Sequence, residues 1–460
     1  MPVARTYHGS ATMGNRWYVA GGDSLNDAAR FSPEVDAYDP ATGQWTMVGA
    51  LSRERSSLTG IVDPIRRRVL FIGGFLPAGP DGYLALANCD AVVPGGVAAV
   101  PSLIHARTRP PVAFSAGRFF VAGSWGMDDW GSYLRDDAEV WDGSANAWTP
   151  AGAMPGGARS RLSVTALGDG RNILLVGGCQ PTRVSDAVDL FDVTTGTWRS
   201  LRPLNTPRCS HAAALLVDGR ILITGGQSRS SAVADSSAEL FDPSTERWTT
   251  VASMHDPRFD HDIIRLPDGR VLVAGGSTDP VRGEYGALAS AEIYDPATDT
   301  WTLLPAMHDR RRAPTSAVLS DGVYIAGGSY TDTTAPLSAV ALASVERLSW
   351  QDLGINPPEI EDAGVSDAAN PDVDAADAGT PIDAAGPTED GASAADAVSS
   401  SDAAPPPRGN DGCSCSSSSL ANQLSSAGAA MLLLCALVVR WVLALRPRAR
   451  SRFAAARRSA

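Results

Sequence analysis

Short apolar runs that end in two glycines recur along the first three quarters of the chain. Successive copies lie 48 to 54 residues apart, and a fixed period of this length is typical of a repeat architecture. The copies are YVAGG (Gly21, Gly22), LFIGG (Gly73, Gly74), FVAGS (Gly123, Ser124), LLVGG (Gly177, Gly178), LITGG (Gly225, Gly226), LVAGG (Gly275, Gly276) and YIAGG (Gly327, Gly328). We therefore interpret residues 1–355 as seven copies of one unit.

The sequence pattern of each unit predicts four short strands. An Asp-Gly pair between two apolar runs, as at Asp268-Gly269, favours a tight hairpin between the first two strands. The diglycine ends the second strand, and an alternating segment such as AEIYD predicts a half-buried third strand. A turn of the Asp-Pro type then leads to a fourth strand that starts at a tryptophan. These tryptophans are Trp45, Trp148, Trp198, Trp248, Trp301 and Trp350. We expect them to pack as wedges between blades.

Four-stranded units repeated in this number favour a β-propeller, because radial packing protects most strand edges. The diglycine followed by the Tyr-Asp and Trp landmarks resembles the kelch motif, and the likeness covers residues 1–355. It implies an all-β, seven-bladed kelch-type β-propeller. The second unit lacks its tryptophan, so six blades remain the alternative if that unit is a loop. If residues before Met1 are missing, the last blade is expected to lack a strand.

Charge divides the chain further. The 460 residues carry a net charge of −13, which argues against nucleic acid as a partner. Residues 356–411 hold a net charge of −12 and no aromatic residue, whereas residues 412–460 hold +7. The acidic Asp/Ala/Pro-rich segment 356–411 cannot bury enough apolar surface to order itself, so we predict a disordered stalk.

The C-terminal segment 412–460 predicts a membrane address. The apolar run 427–445 is long enough to span a bilayer as one transmembrane helix, and arginines follow it. The order of a Gly-Cys pair, an apolar span and an arginine cluster resembles the C-terminal sorting signals of myxobacterial surface proteins. The likeness implies that Gly412 and Cys413 mark an anchoring or processing site. A plain single-span anchor is the alternative.

Both interpretations of the tail place the propeller outside the cytoplasm, at the cell surface or outer envelope. The first residues of the chain lack the apolar stretch of a signal peptide. We therefore expect the true N-terminus, with its signal peptide, to lie upstream of Met1.

The loop after strand two of the third unit is rich in aromatic and charged residues. Aromatic rings stack on sugars or anchor peptides, and carboxylates accept hydroxyl hydrogen bonds. The candidate ligand-binding residues are Trp125, Asp128, Asp129, Trp130, Tyr133 and Arg135. The alternative is that these rings pack on their own loop or on a neighbouring blade.

Arginines recur where the units begin, at Arg55, Arg109, Arg161, Arg208, Arg258 and Arg312. One hypothesis is a cationic ring for an anionic ligand. The other pairs these arginines with the recurring acids of strand three, namely Glu139, Asp189, Glu239, Glu292 and Glu346. The shared period of the two sets favours the structural hypothesis.

The histidines and cysteines give no metal-binding motif, and we find no catalytic triad, phosphate loop or cofactor fingerprint. We expect no cofactor and no metal. Four histidines lie near blade starts, where a propeller could gather them at its centre.

Cys179 and Cys209 would lie on one face, one blade apart, so a disulfide is a possible pairing in an exported protein. Galactose-oxidase-like copper enzymes share this type of repeat, but no residues of this chain match their site.

The sequence favours a binding function over catalysis. Strand order places the loops after strand two and the connections between blades on one face, which usually holds the binding site in kelch-like proteins. We expect a monomeric, envelope- or surface-anchored module that docks a protein, peptide or glycan on this loop-rich face. The alternatives are an exported propeller enzyme, galactose-oxidase-like or sugar-acting, and a structural surface spacer.

Overall fold

The computed structural model describes residues 1–25, 31–77, 83–128, 131–228, 233–279, 286–332 and 338–357. Apart from a 3₁₀ assignment at Gly286, the regular elements of these ranges are β-strands. The strands are β1 (Gly9–Met13), β2 (Arg16–Ala20), β3 (Glu34–Asp39), β4 (Gln44–Ala50), β5 (Thr59–Asp63), β6 (Arg68–Ile72), β7 (Phe75–Pro77), β8 (Tyr83–Ala85), β9 (Cys89–Val93), β10 (Gly96–Val100), β11 (Val112–Ser115), β12 (Arg118–Ala122), β13 (Trp125–Asp128), β14 (Gly131–Leu134), β15 (Asp137–Asp142), β16 (Ala147–Ala153), β17 (Ser163–Ala166), β18 (Asn172–Val176), β19 (Val188–Asp192), β20 (Thr197–Ser200), β21 (Ala212–Leu215), β22 (Ile221–Thr224), β23 (Gln227–Ser228), β24 (Val233–Ala234), β25 (Ala238–Asp242), β26 (Arg247–Val251), β27 (Asp262–Arg265), β28 (Val271–Ala274), β29 (Ala291–Asp295), β30 (Thr300–Leu303), β31 (Thr315–Leu319), β32 (Gly322–Ala326), β33 (Ser329–Asp332), β34 (Ser338–Ala341) and β35 (Val345–Ser349).

Seven antiparallel sheets form the blades of a propeller. Six of them have four strands, and the innermost strand of each contacts its counterparts in the two neighbouring blades. The blades are β1–β4, then β5, β6, β9 and β10, then β11, β12, β15 and β16, then β17–β20, then β21, β22, β25 and β26, then β27–β30, and finally β31, β32 and β35. The predicted all-β, seven-bladed fold is confirmed.

The second unit is a complete blade despite its missing tryptophan. Its fourth strand, β10, pairs with β9 from Gly96 to Val100. Val97 packs against Gly49 of blade 1, at the place where Trp198 lies against Gly152 between blades 3 and 4. A smaller apolar side chain thus fills the wedge position, which is why the sequence landmark is lost while the strand remains.

Blade 7 has three strands within the described residues, and side chains and backbone close it against blade 1. Asn15 and Ser320 exchange two hydrogen bonds, and the Tyr38 hydroxyl donates to the Tyr324 hydroxyl at 3.4 Å. The amino group of Met1 donates to the carbonyl of Ala343 at 2.6 Å. The ring is therefore closed without a shared outer strand among the described residues.

Apolar side chains fill the seams between blades rather than the blades themselves. Seven clusters of buried residues each draw on two neighbouring blades, including the blade 7–blade 1 seam. The landmark tryptophans close these seams, because the indole N–H of Trp198, Trp248 and Trp301 donates to a carbonyl of the preceding blade at 2.7–3.0 Å. This is the wedge position that the repeat pattern predicts.

A fully buried arginine starts every blade and pairs with the acid of strand three in the same blade. The nitrogen–oxygen distances are 2.6–2.9 Å, and each arginine is at most 1 % exposed. The pairs are Arg5–Asp36, Arg55–Asp90, Arg107–Glu139, Arg159–Asp189, Arg208–Glu239, Arg258–Glu292 and Arg311–Glu346. We call this set the arginine lock.

The carbonyl group of each lock arginine joins its blade to the preceding one. It accepts a hydrogen bond of 2.8–3.2 Å from the second residue of the preceding diglycine, at all seven seams, including Gly328 to Arg5. A Cβ atom on the first glycine would lie only 2.3–2.8 Å from that carbonyl oxygen. The close approach and the positive φ of these residues explain why the repeat requires glycine there.

The two faces of the propeller differ. The face formed by the strand 2–strand 3 connections and the connections between blades, which we call the loop-rich face, carries the extra hairpins β7–β8, β13–β14, β23–β24 and β33–β34. The described chain ends at the opposite face, where the carbonyl of Leu353 accepts from Arg270 beside the blade 6 hairpin turn.

We expect Glu239→Gln to lower the free energy of unfolding by about 3–5 kcal/mol, because it leaves the buried Arg208 without a counter-charge. Chemical denaturation measures the change. Glu246→Gln is the matched control, since its pair with Arg199 is exposed, and there we expect about 0–1 kcal/mol. Equal effects of the two variants would contradict a stabilising role of the lock.

Candidate functional site

The residue two positions after each lock arginine lies at the entrance of the central channel on the loop-rich face. All seven such residues have φ between +46° and +54°. In five of the seven steps around the axis, the backbone N–H of one residue donates to the carbonyl of its counterpart in the preceding blade, at 2.7–3.1 Å. The residues are Tyr7, Ser57, Arg109, Arg161, Ser210, Asp260 and Ala313. We call them the entrance ring.

A pocket of about 410 Å³ opens inside the entrance ring. Its walls come from the innermost strands and include Thr59, Val112, Ser163 and Ala213. Backbone pairing fixes the ring positions, and none of the seven residues belongs to the apolar clusters of the seams. The chemistry of the pocket therefore depends on which residues stand at these seven positions.

Three arginines surround one carboxylate at this pocket. Arg312 donates to Asp260 Oδ2 at 2.8 Å, and Arg109 of blade 3 reaches Asp260 Oδ1 of blade 6 at 3.4 Å. Burial alone would raise the pKa of Asp260, but Arg109, Arg312 and Arg161 outweigh it and hold the pKa well below its usual range. Asp260 is therefore a carboxylate at any physiological pH, and the four side chains carry a net charge of +2.

The three arginines are not equally accessible. The Arg312 side chain is 12 % exposed, and that of Arg109 is 34 % exposed, with its guanidinium over the Tyr7 ring at 4.2 Å. Arg161 is exposed, and its hydrogen bond to Ser210 Oγ is long, at 3.5 Å. Arg161 thus offers the most open cationic group at the pocket.

The sequence assignment of the recurring arginines needs a correction. Arg208 and Arg258 pair with Glu239 and Glu292 as the structural hypothesis predicts, and Arg55 pairs with Asp90. The pairing predicted for Arg109, Arg161 and Arg312 is wrong, because a neighbouring arginine one or two positions earlier takes the lock position. Arg109 and Arg161 line the pocket instead, and Arg312 binds Asp260 beside it, so all three fit the hypothesis of a cationic site for an anionic ligand.

The histidines near the channel do not converge on one point. His8, His211 and His261 lie in three different seams, and the Nε2 atom of each contacts a threonine or serine hydroxyl at 2.8–2.9 Å. Burial lowers the pKa of His8 and of His211 to about 3, so both rings are neutral. Each ring packs on the first glycine of the preceding diglycine, which is a role in the seam.

One group among the described residues has the geometry of a metal site, namely His105, Asp137 and Glu139. Arg107 already binds both carboxylates, at 2.6 Å to Asp137 and 2.8 Å to Glu139. Glu139 also accepts the backbone N–H groups of Ile104 and His105. The lock arginine therefore supplies the positive charge that a cation would bring.

The predicted loop of the third unit forms the hairpin β13–β14. Trp125 lies half-buried at its start, and Tyr133 is exposed with its ring against Gly126. Arg135 donates to the Tyr133 hydroxyl at 3.0 Å and to Asp137 at 2.7 Å. Tyr133 and Arg135 therefore contact their own loop. The side chain of Asp128, and the whole of Asp129 and Trp130, lie outside the described residues.

A disulfide joins Cys179 to Cys209, whose Cα atoms are 5.2 Å apart. Cys179 pairs through its backbone with Ser160, the neighbour of Arg161, and Cys209 precedes Ser210. The disulfide therefore links blade 4 to blade 5 next to the contact between Arg161 and Ser210. Cys89 is buried, and burial raises the pKa of its thiol to about 12.

Gly412 and Cys413, with the predicted stalk and span, lie outside the described residues. Within the described residues, the structure has no helix with the length and apolar character that a membrane crossing requires.

Asp260 and Tyr7 are the site residues that the sequence analysis missed. The sequence does contain the information needed to find them. If the seven repeats are aligned on the lock arginine instead of the diglycine, the entrance-ring residues occupy one position of the alignment. Two arginines close together, as in RTR and RSR, conceal which of them occupies that position.

Asp262, the first residue of the innermost strand β27, gives the stability of the propeller a pH dependence. Burial raises its pKa to about 6, although a hydrogen bond from Ser316 opposes the shift. As pH rises from about 4 through 6, the unfolded chain loses this proton first, so folding stability falls. We expect Asp262→Asn to be more stabilising at pH 7.5 than at pH 4, by up to about 3 kcal/mol in urea unfolding.

Asp218→Asn is the control of opposite sign. Arg220, bonded at 2.7 Å, outweighs partial burial and lowers the pKa of Asp218, so this carboxylate contributes stability above pH 4. A pH-independent effect of Asp262→Asn would show that the carboxyl group titrates alike in the folded and unfolded chains.

Comparison with known proteins identifies the repeat. Residues 113–328 match the family model described as the KLHDC2/KLHL20/DRC7 Kelch-repeats domain, and residues 4–52 match the Kelch motif. Kelch-like protein 25 of Homo sapiens is 28 % identical over 207 residues, which are 44 % of this chain and 33 % of the relative. Kelch-like protein terF of Aspergillus terreus is 28 % identical over 207 residues, 42 % and 34 % of the two chains. The chain thus matches about a third of the length of these relatives.

Two solved structures share the fold. The structure of YjhT aligns with a TM-score of 0.53 at 14 % identity, over 66 % of this chain and 99 % of that one. A fungal alcohol oxidase in complex with copper aligns with a TM-score of 0.57 at 15 % identity, over 75 % and 74 %. At such identities the likeness shows the fold alone. Together with the seven sheets and the repeated diglycines, the matches show that this chain carries kelch repeats folded as a seven-bladed propeller.

Proposed function

We propose that this protein is a binding module whose loop-rich face docks a protein, peptide or glycan, and that the pocket inside the entrance ring holds an anionic group of that ligand. The observation that carries the proposal is the cluster of Arg109, Arg161 and Arg312 around Asp260, in which Arg109, Arg161 and Asp260 line a pocket of about 410 Å³. A guanidinium group matches a carboxylate in two parallel hydrogen bonds, so this is the chemistry that such a pocket selects.

The local charge at the pocket is positive although the whole chain is negative, and this supports an anionic ligand. The protein carries −13 overall, yet the cluster of Asp260 and its three arginines sums to +2. A local cationic centre on an acidic protein concentrates the field at one point, which orients an approaching anion.

The shape of the face supports a ligand larger than the pocket. The hairpins β7–β8 and β13–β14 contact each other beside the channel and present exposed rings at Tyr83 and Tyr133. Rings of this kind contribute contact area to peptides and sugars. The anionic group would enter the pocket, and the rest of the ligand would lie across the hairpins. The kelch-like relatives support a protein or peptide partner.

We further propose that segments 356–411 and 412–460 hold the propeller at the cell surface or outer envelope. The Cys179–Cys209 disulfide supports an oxidising compartment. The described chain ends at the face opposite the entrance ring.

Arg161→Gln tests the binding proposal. We expect binding to arrays of peptides and glycans to be confined to members that carry a carboxylate, and to weaken at least tenfold in the variant. Arg220→Gln is the matched control, since it removes an arginine from the opposite face and should leave binding unchanged. Equal binding by Arg161→Gln and the parent protein would refute the role of the pocket.

The location of the propeller is tested with epitope tags in segment 356–411 and after Arg458 on intact cells. We expect an external protease to remove the first tag, and the second tag to be absent from the mature protein if the tail is a processed sorting signal. A retained second tag would indicate the plain anchor. Protection of both tags in a cytosolic protein would overturn the export proposal.

A further inference from the structure

Asp260 is unusual among the seven residues of the entrance ring, since it is the only acid there. Its side chain is 6 % exposed, and both carboxylate oxygens are engaged. Oδ1 faces Arg109 at 3.4 Å, and Oδ2 accepts from Nε and Nη2 of Arg312 at 3.1 and 2.8 Å. Two of the three arginines at the pocket therefore already have an anion.

We propose that Asp260 is a built-in counter-anion that determines which anions the entrance ring accepts. It occupies the Arg109–Arg312 pair, leaves Arg161 as the main contact for the ligand, and disfavours ligands with two negative charges at the docked end. The inference rests on the proposed function, because it concerns the selectivity of the same pocket.

Accessibility agrees with this division of the arginines. Exposure falls from Arg161 to Arg109 to Arg312, in the order of increasing contact with Asp260. Arg109 of blade 3 is further held by two contacts across the channel, with the Tyr7 ring of blade 1 and with Asp260 of blade 6. A ligand carboxylate reaches Arg161 without displacing any internal ion pair.

Electrostatics gives the counter-anion a measurable signature. A fixed negative charge near the pocket opposes a bound anion by an amount proportional to the charge of that anion. Removing it should therefore raise the affinity for a dianion by the square of its effect on a monoanion. For a separation of about 6 Å across water, with a dielectric constant of about 80, we expect roughly threefold for one charge and roughly tenfold for two.

Asn is the natural replacement at this position. The φ of residue 260 is +49°, and Asn adopts this left-handed conformation more readily than most residues. Its amide oxygen still accepts from one arginine. The backbone N–H of residue 260 and its carbonyl remain in the ring, bonded to Ser210 and Ala313. Asp260→Asn thus removes the charge and preserves the frame.

The experiment titrates the full chain with N-acetylglycine, a monocarboxylate, and malonate, a dicarboxylate, at low salt and pH 7.5. Chemical-shift changes of the arginine side chains or isothermal calorimetry report the affinities. We expect Asp260→Asn to strengthen N-acetylglycine binding about threefold and malonate binding about tenfold. Asp218→Asn makes the same charge change on the opposite face and should alter neither affinity.

The outcomes separate the two proposals. If Arg161→Gln abolishes binding while Asp260→Asn weakens it, or strengthens both probes equally, then Asp260 positions arginines and the counter-anion inference fails alone. If neither probe binds the parent protein or Asp260→Asn, or if binding is indifferent to Arg161→Gln, the anionic pocket itself is refuted. Binding of malonate by Asp260→Asn but not by the parent protein would support both proposals.

Discussion

The arginine lock is the interaction on which the rest of this propeller depends. A buried guanidinium group needs a counter-charge and hydrogen-bond acceptors. Each blade supplies the counter-charge from its own third strand, and in five of the seven blades the first glycine of the diglycine supplies a carbonyl acceptor. Once the side chain is fixed, its carbonyl group points at the preceding blade and accepts the N–H of that blade's diglycine. A single residue therefore sets both the internal geometry of a blade and its distance from its neighbour. The apolar seams and the tryptophan wedges fill the space that this arrangement defines.

The entrance ring is a direct product of the lock. Because the arginine carbonyl faces backwards, the chain must reverse before the innermost strand begins, and it does so in the left-handed conformation two residues later. The residues at these positions are outside the apolar clusters of the seams, and Arg109 and Asp260 meet across the channel. Tyr7, Arg109, Arg161 and Asp260 can accordingly differ in size and charge without disturbing the packing between blades.

The sequence predicts the fold well because the arginine lock requires certain residues to recur at a fixed spacing. Diglycines and tryptophans recur for steric reasons, so their spacing alone predicts seven four-stranded units. Val97 shows that a unit still folds when its tryptophan is replaced.

The same periodicity concealed the site. In RTR and RSR both arginines keep the period, and only burial separates Arg107 from Arg109. The contact between Arg109 and Asp260 joins blades 3 and 6, and no local pattern encodes a distance across the channel. The sequence identifies the aromatic and charged residues of the third-unit hairpin as candidates for binding. Their contacts with Gly126 and Asp137 depend on the folded loop and could not be predicted.

The direction of the seam contacts also has an evolutionary consequence. Every blade presents an arginine carbonyl to the blade behind it and a diglycine N–H to the blade ahead, so the backbone contact is the same at all seven seams. Duplication of one unit therefore yields a neighbour that is compatible from the start, and selection can then act on the entrance-ring residue alone. A chain built in this way can acquire a new recognition chemistry by a single codon change in one blade, while the other six continue to hold the ring.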